Sequence, residues 1–185
     1  MTARTSTKGK PTEESLTADR LRAVLNYDPE TGGFTWRVTG RGIAFLGAPA
    51  GTKSDSGSGK IYLKIRVDGR LYFAHRLAWL WLHGEWPTDQ IDHRDGNGQN
   101  NSEANLRPSN QTQNLGNVGR RSFSKEKYKG ITKHGAQWLA QICHEGNSQY
   151  LGLYDDPVSA AKAYDLAAMQ KFGSFAKTNQ SLGLL

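Results

Sequence analysis

The chain of 185 residues has a single cysteine, Cys143. One thiol excludes an intramolecular disulfide and any zinc site built on several cysteines, and it suits a reducing, cytoplasmic setting. No apolar run approaches the roughly 20 residues of a membrane-spanning helix, so no membrane partner is expected. The opening MTARTSTKGKPTEES has no apolar centre of the kind a secretory signal needs. Its Thr, Lys, Ser and Pro content reads as a disordered arm over residues 1–15. Acid is also in deficit. Only 17 Asp and Glu face 24 Lys and Arg, a net charge of +7. That balance points to an acidic partner, of which nucleic acid is the commonest.

What is present falls into two patterned regions. In LTADRLRAVLNYDPETG, Thr17 is a capping candidate, and Leu21, Val24 and Leu25 recur at helical spacing before the turn DPETG. GGFTWRV reads as a short strand, and the Gly/Ser-rich residues 47–60 as a mobile loop. KIYLKIRVDGRLYFAHRL has the alternation of a hairpin turning at Asp68-Gly69. AHRLAWLWLHGEWP follows as a helix ending near Gly84, with aromatics suited to a core and His75 at its start. A basic, polar stretch at 118–127 separates this region from the next. There, three strand-like runs (YKGITK, QWLAQICH, SQYLGLY) precede the helix DDPVSAAKAYDLAAMQKFG. Asp156 caps that helix, Pro157 opens it and Gly173 closes it. Val158, Ala161, Tyr164, Ala168 and Phe172 form its apolar stripe.

The least generic stretch is IDHRDGNGQNNSEANLRPSNQTQN, residues 91–114. Ile91 begins a short strand that ends in Asp92 and His93. Adjacent strand residues point to opposite faces, so both can serve one site only where the strand ends or bulges. Asp95-Gly96 supplies the reversal, 97–104 a polar loop, and Asn105-Leu106-Arg107 a return strand. Asn110 and Gln113 have the spacing of a capping box, which puts Asn114 early in a helix. Asn97, Asn100 and Asn101 suit a loop held by side-chain to backbone hydrogen bonds. A carboxylate at Asp92 and an amide at Asn114 are hard oxygen donors of the kind Mg²⁺ or Mn²⁺ takes. The imidazole of His93, with an ordinary pKa near ~6.5, can take a proton from water at neutral pH. Together they make a constellation for phosphodiester hydrolysis, unless the segment is only a polar surface loop.

The segments HRLAW (75–79), GEWP (84–87), IDHRDGN (91–97), Asn100-Asn101, NLR (105–107) and Asn114, in this order, resemble an HNH endonuclease of the ββα-metal class, in its phage and homing form. The resemblance runs back through YDPETGGFTWR and covers residues 16–117. It implies a metal-binding Asp92 before the catalytic His93, a loop-holding and His-orienting role for Asn105, and a second ligand at Asn114, where many members have His. One divalent ion, Mg²⁺ or Mn²⁺, is implied per active site, with no small-molecule cofactor. Arg94 and Arg107 are candidates for phosphate contact.

In QWLAQICH, Trp138, Ala140 and Ile142 share one face and Gln137, Leu139, Gln141 and Cys143 the other. The first face suits packing on the Ala-rich helix, which leaves an open sheet of the kind that enters a major groove. The opening YKG, the WLAQI strand, Leu151-Gly152, the AAKAYD helix and the closing GSFAKTN resemble the Apetala-two, ethylene-response-factor DNA-binding domain over residues 128 to about 179. By that resemblance Lys129, Thr132, Lys133, His134, Gln137, Gln141, Ser148 and Tyr150 are DNA-facing, although an uncharged Thr132 departs from the pattern. In the linker, Arg120 and Arg121 are expected to cross phosphates.

The expectation is therefore an α+β protein: a nuclease domain at 16–117, a linker at 118–127, and a three-stranded antiparallel sheet packed on one helix at 128–185. It is expected to nick double-stranded DNA as a monomer rather than an obligate oligomer, in the cytoplasm of a bacterial host. A non-catalytic DNA-binding regulator with a vestigial site is the rival from another class. An RNase or junction nuclease would share the chemistry.

Overall fold

The computed structural model describes residues 15–39, 45–57, 59–119 and 125–185. The expected arm, apart from Ser15, and the linker residues Arg120 and Arg121 lie outside the described residues. The fold is α+β and divides into two compact units, Met1–Pro108 and Ser109–Leu185.

In the first unit, the Thr17 hydroxyl accepts the Arg20 N–H at 3.2 Å and starts α1 (Ala18–Val24). The helix runs directly into β1 (Leu25–Tyr27), which pairs antiparallel with β2 (Phe34–Trp36). Between them, the Asp28 carboxylate accepts from the Glu30 N–H and the Thr31 hydroxyl, fixing the DPETG turn. A second sheet has the order β3 (Thr52–Asp55), β4 (Ile61–Val67), β5 (Arg70–Phe73). The hairpin turns where expected, with φ of 48° at Asp68 and 83° at Gly69, the twist a two-residue hairpin needs.

The expectation for residues 47–60 is corrected here. Thr52–Asp55 forms a strand paired with Ile61–Lys64. An edge strand needs only backbone groups to join the ladder, so its polar sequence gave no alternation to read. The chain passes from β5 into α2 (Ala74–His83), which stops at Gly84 in the left-handed region. Leu77, Ala78 and Leu80 of α2 bury against Leu21, Leu25, Ile65 and Val67, and Trp79, Trp81 and Trp86 pack half-buried around them. On this core sit β6 (Gln90–His93) and β7 (Leu106–Ser109), joined by the polar loop and one 3-10 turn, Glu103–Asn105.

The second unit opens with α3 (Gln111–Gly116), started by the expected capping box. The Asn110 side chain accepts the Gln113 N–H, and the Gln113 side chain accepts the Asn110 N–H, both at 2.9 Å. Strands β8 (Ile131–His134), β9 (Gln137–His144) and β10 (Asn147–Tyr154) form an antiparallel sheet with β9 central, and α4 (Pro157–Phe172) packs on one face. Ile131, Ala140 and Ile142 meet Ala160, Ala161, Tyr164 and Ala168 there. Val158 is the exception to the expected stripe, being 38% exposed. At 3.6 residues per turn it falls at the margin of the buried arc, whose place Ala160 takes. Gly130 sits at φ 78° with Tyr164 against it, so close that a Cβ would overlap the ring. The Leu151-Gly152 step is a bulge inside β10, where the register shifts between Tyr150 and Gly152.

The carboxyl end is stitched back by buried polar bonds. Asn179, fully buried, donates through Nδ2 to the Lys129 carbonyl and to Asp165 Oδ1. Asp165 also accepts the N–H groups of Asn179 and Gln180. No helix among the described residues is long and apolar enough to cross a membrane.

Candidate functional site

Strand β6 delivers Asp92 and His93 side by side at its end, where Asp95-Gly96 reverses the chain. Both are buried, His93 at 5% exposure. The His93 Nε2 lies 3.1 Å from Asn101 Oδ1. Because the Asn101 amide nitrogen donates to the Gln99 carbonyl, Oδ1 is the acceptor and Nε2 carries the proton. The ring's basic lone pair therefore lies on Nδ1. Burial lowers the His93 pKa below its ordinary value, opposed by the Asn101 bond and the charges of Asp95 and Asp92, and Lys60 lowers it further. A neutral imidazole with a fixed tautomer is a competent proton acceptor.

The loop that carries Asn101 is held from several directions. Asn105 donates to Asp95 Oδ1 at 3.0 Å and to the Asn100 carbonyl at 2.7 Å, and its own Oδ1 accepts the Asp95 N–H. Burial pushes the Asp95 carboxyl up, but bonds from the Asn97 N–H, Asn100 and Asn105 outweigh it, so it stays below the usual range. From β1, the Tyr27 hydroxyl donates to the Asn101 carbonyl at 2.7 Å. Burial, with Glu103 and Asp28 nearby, pushes that hydroxyl's pKa up to about 12. Gly32 is essential to the same contact: a Cβ there would lie 2.3 Å from the Asn101 and Ser102 backbone. Tyr27→Phe should accordingly cost the first unit about 1–3 kcal/mol in urea unfolding, since it leaves a buried carbonyl short of a donor.

Asp92 is gripped by Arg107 from β7. Nε and Nη2 approach Oδ2 at 2.9 and 2.8 Å, and both side chains are about nine-tenths buried. Beside His93 stand rings from β4 and α2. Tyr62 lies 6.0 Å from it, and His75 lies 5.1 Å away at 82°. His75 is buried, and its pKa falls to about 3, through desolvation first, with the electrostatic influence of His93 and Arg76 lowering it further.

With this geometry in view, part of the chain can be compared with known families. Residues 72–115 fit the family model described as HNH endonuclease. An HNH-family domain is present. It supports a nuclease-family classification, and it contains Asp92, His93, Asn101, Asn105, Arg107 and Asn114.

Of the expected HNH residues, the first unit brings together Asp92, His93, Asn105 and Arg107, and Arg94 is exposed on the loop with its N–H on the Asn105 carbonyl. Asn114 belongs to the second unit, on α3, where its Oδ1 accepts the Ser109 hydroxyl at 2.7 Å. Asn101 is the residue sequence reasoning missed: read as a loop-holder, it is the side chain bonded to the imidazole, while Asn105 braces the loop behind it. Tyr62 gave no signal at all, lying some thirty residues upstream on another sheet.

Among the described residues no group of three or more His, Cys, Asp and Glu side chains is arranged to hold a metal ion. The ligand set implied by resemblance is of another kind, a carboxylate and an amide. Its oxygen donors fit a hard divalent cation in type. Two nitrogens of Arg107 meet one oxygen of Asp92, and the guanidinium balances its charge.

In the second unit, the strand register sorts the expected DNA-facing residues. Thr132 opposes Leu139, His134 opposes Gln137, and Gln141 and Cys143 oppose Tyr150 and Ser148. Thr132, His134, Gln137, Gln141, Ser148 and Tyr150 thus share the face away from α4, with Tyr150 61% exposed. Lys133 lies on the opposite side, its ammonium 4.5 Å over the Trp138 ring. The Lys129 ammonium donates to the carbonyls of Val118 and Lys177, and desolvation brings its pKa down to about 8.

Proposed function

We propose that the protein is a metal-dependent HNH endonuclease that hydrolyses phosphodiester bonds of duplex DNA. The observation that carries this reading is His93, a buried imidazole whose tautomer Asn101 fixes, beside Asp92 within the HNH segment. His93 Nδ1 takes a proton from the attacking water, and Asn101 and Asn105 keep the ring and its loop in place. Asp92 and Asn114 are the proposed ligands of one Mg²⁺ or Mn²⁺. Such an ion, when bound, opposes the negative charge that develops on the phosphate and the leaving oxygen.

The second unit's open face is proposed to hold duplex DNA through Thr132, His134, Gln137, Gln141, Ser148 and Tyr150, in the manner of the Apetala-two fold that the sequence resembles. Arg94, Arg120, Arg121 and the other cations along the chain add phosphate contacts, which make affinity fall with salt. One chain has one set of these residues, so a monomer cuts one strand per event. The order of motifs supports a homing-type, phage-derived role.

Supercoiled plasmid tests the proposal. With Mg²⁺ or Mn²⁺ it should pass to the nicked circle, and in EDTA it should stay supercoiled. Plasmid that is retarded in a gel yet intact with either ion leaves the non-catalytic binder. Linear product without a nicked intermediate contradicts the monomer picture.

A further inference from the structure

Strand β7 carries a side chain to each of the two proposed ligands. Arg107 and Ser109 are two residues apart on it and leave one face, while Pro108 between them is exposed on the other. Arg107 meets Asp92 Oδ2. Ser109, 3% exposed, donates its hydroxyl to Asn114 Oδ1 at 2.7 Å. The start of α3 does not depend on that bond. Its capping box supplies two bonds of its own, and the Asn114 N–H donates to the Asn110 carbonyl at 3.0 Å. An alanine would fill the place of Ser109 with no buried hydroxyl to satisfy. Asn114 itself is partly exposed. An amide oxygen has two lone pairs, so the hydroxyl takes one and leaves the other to a cation.

We propose that Ser109 is a positioning residue of the metal site, whose hydroxyl fixes the rotamer of Asn114 and sets Oδ1 for the divalent ion before the ion arrives. The inference rests on the nuclease reading, in which Asn114 is a ligand, and adds the residue that orients it. An unrestrained Asn samples several rotamers, and ordering it on binding would weaken the hold on the ion. Ser109 places that ordering in the fold.

The test counts bound Mn²⁺ by electron paramagnetic resonance, on the full chain with a short duplex and with the ion held by duplex alone subtracted. A His93→Gln background slows cutting during the titration. Ser109→Ala should weaken Mn²⁺ binding by about 10–100-fold, the usual effect of removing a ligand's hydrogen-bond partner. Ser109→Thr, which keeps the hydroxyl, should recover part of the loss. Ser109→Cys, a weaker donor, should fall between them and keeps the comparison open should the alanine variant unfold. Asn114→Ala should lose at least as much as Ser109→Ala, and the double variant little more, since Ser109 acts only through that amide. Wild-type affinity in Ser109→Ala overturns the proposal, because the bond would then only tie β7 to α3. An undiminished further loss in the double variant overturns it as well.

With His93 restored, Ser109→Ala should need about 10–100-fold more Mg²⁺ for half-maximal plasmid nicking, yet approach the wild-type kcat once saturated. Wild-type nicking with an unaltered Mg²⁺ requirement in Ser109→Ala removes the positioning role alone. Wild-type protein that binds Mn²⁺ but does not nick removes the nuclease reading, and the affinity of Ser109→Ala still decides the role of Ser109. No Mn²⁺ bound beyond that on duplex alone removes both.

Discussion

Replacing His93 with glutamine is expected to slow plasmid nicking by about 10²–10⁴-fold, the range a positioned general base contributes. Glutamine is chosen because its amide can still donate to Asn101 Oδ1, as the imidazole Nε2 does at 3.1 Å. The buried acceptor keeps its partner, and the loop should hold its shape. What glutamine cannot do is accept a proton at neutral pH. His93→Ala should be equally inactive and less stable, because it leaves Asn101 unpaired beside a cavity. Gel shift should show DNA affinity unchanged in both, since His93 is too buried to be a major binding contact. Asn101→Leu separates tautomer from presence: the base remains, but the Oδ1 that accepts the Nε2 proton is gone, so kcat should fall while KM holds. Nicking by His93→Gln at the wild-type rate would remove the imidazole from the chemistry and leave a DNA binder.

Much of the frame was legible because it is encoded locally. The hairpin turn at Asp68-Gly69, the capping box of Asn110 and Gln113, and the Asp156-Pro157 start of α4 each depend on neighbours within a few residues. The alternation of QWLAQICH gave the two faces of β9 correctly, since one face meets a helix and the other does not. The Asp-His step was readable as a place, since it falls at the end of a short strand where both side chains are buried.

What escaped the sequence depends on distant partners. The 52–55 strand is specified by β4, not by its own polar residues. Asn101 could not be told from Asn97, Asn100 and Asn105 by type. Only the loop's path, pinned by Tyr27 and Gly32 from some seventy residues upstream, decides which amide meets His93. Lys129 shows the same limit in the second unit. The resemblance made it a DNA-facing candidate, and in the structure two backbone carbonyls hold its ammonium within the unit. The expected boundary at residue 117 and the observed division after Pro108 differ because α3 follows the Asn-rich stretch in sequence but packs with α4, Gly116 against Phe172.

Arg107→Ala should produce the largest loss of stability of any single change considered, about 3–5 kcal/mol in the first unit, the usual result of stripping one partner from a buried ion pair. Read as a phosphate-binding candidate from its sequence, Arg107 is 7% exposed and places two nitrogens on Asp92 Oδ2. Removing the guanidinium strands a carboxylate that is itself 9% exposed. Arg107→Lys should recover only part of the loss, because one ammonium cannot reproduce the Nε and Nη2 pair. Adding Asp92→Asn to Arg107→Ala should restore more, since it removes the uncompensated charge. Urea titration followed by tryptophan fluorescence weights the correct unit, because four of the five tryptophans, Trp36, Trp79, Trp81 and Trp86, belong to it, and a Trp138→Phe background removes the fifth. A loss under about 1 kcal/mol would mean the pair behaves like an exposed one. The pair also bears on the proposed metal ligand. A carboxylate already matched by a cation offers an incoming ion little net attraction, so Arg107 and the ion compete for the charge of Asp92. Calorimetry of wild-type protein with Mg²⁺ but without DNA should therefore show binding too weak to reach the micromolar range, with phosphate oxygens needed to complete the ion's shell.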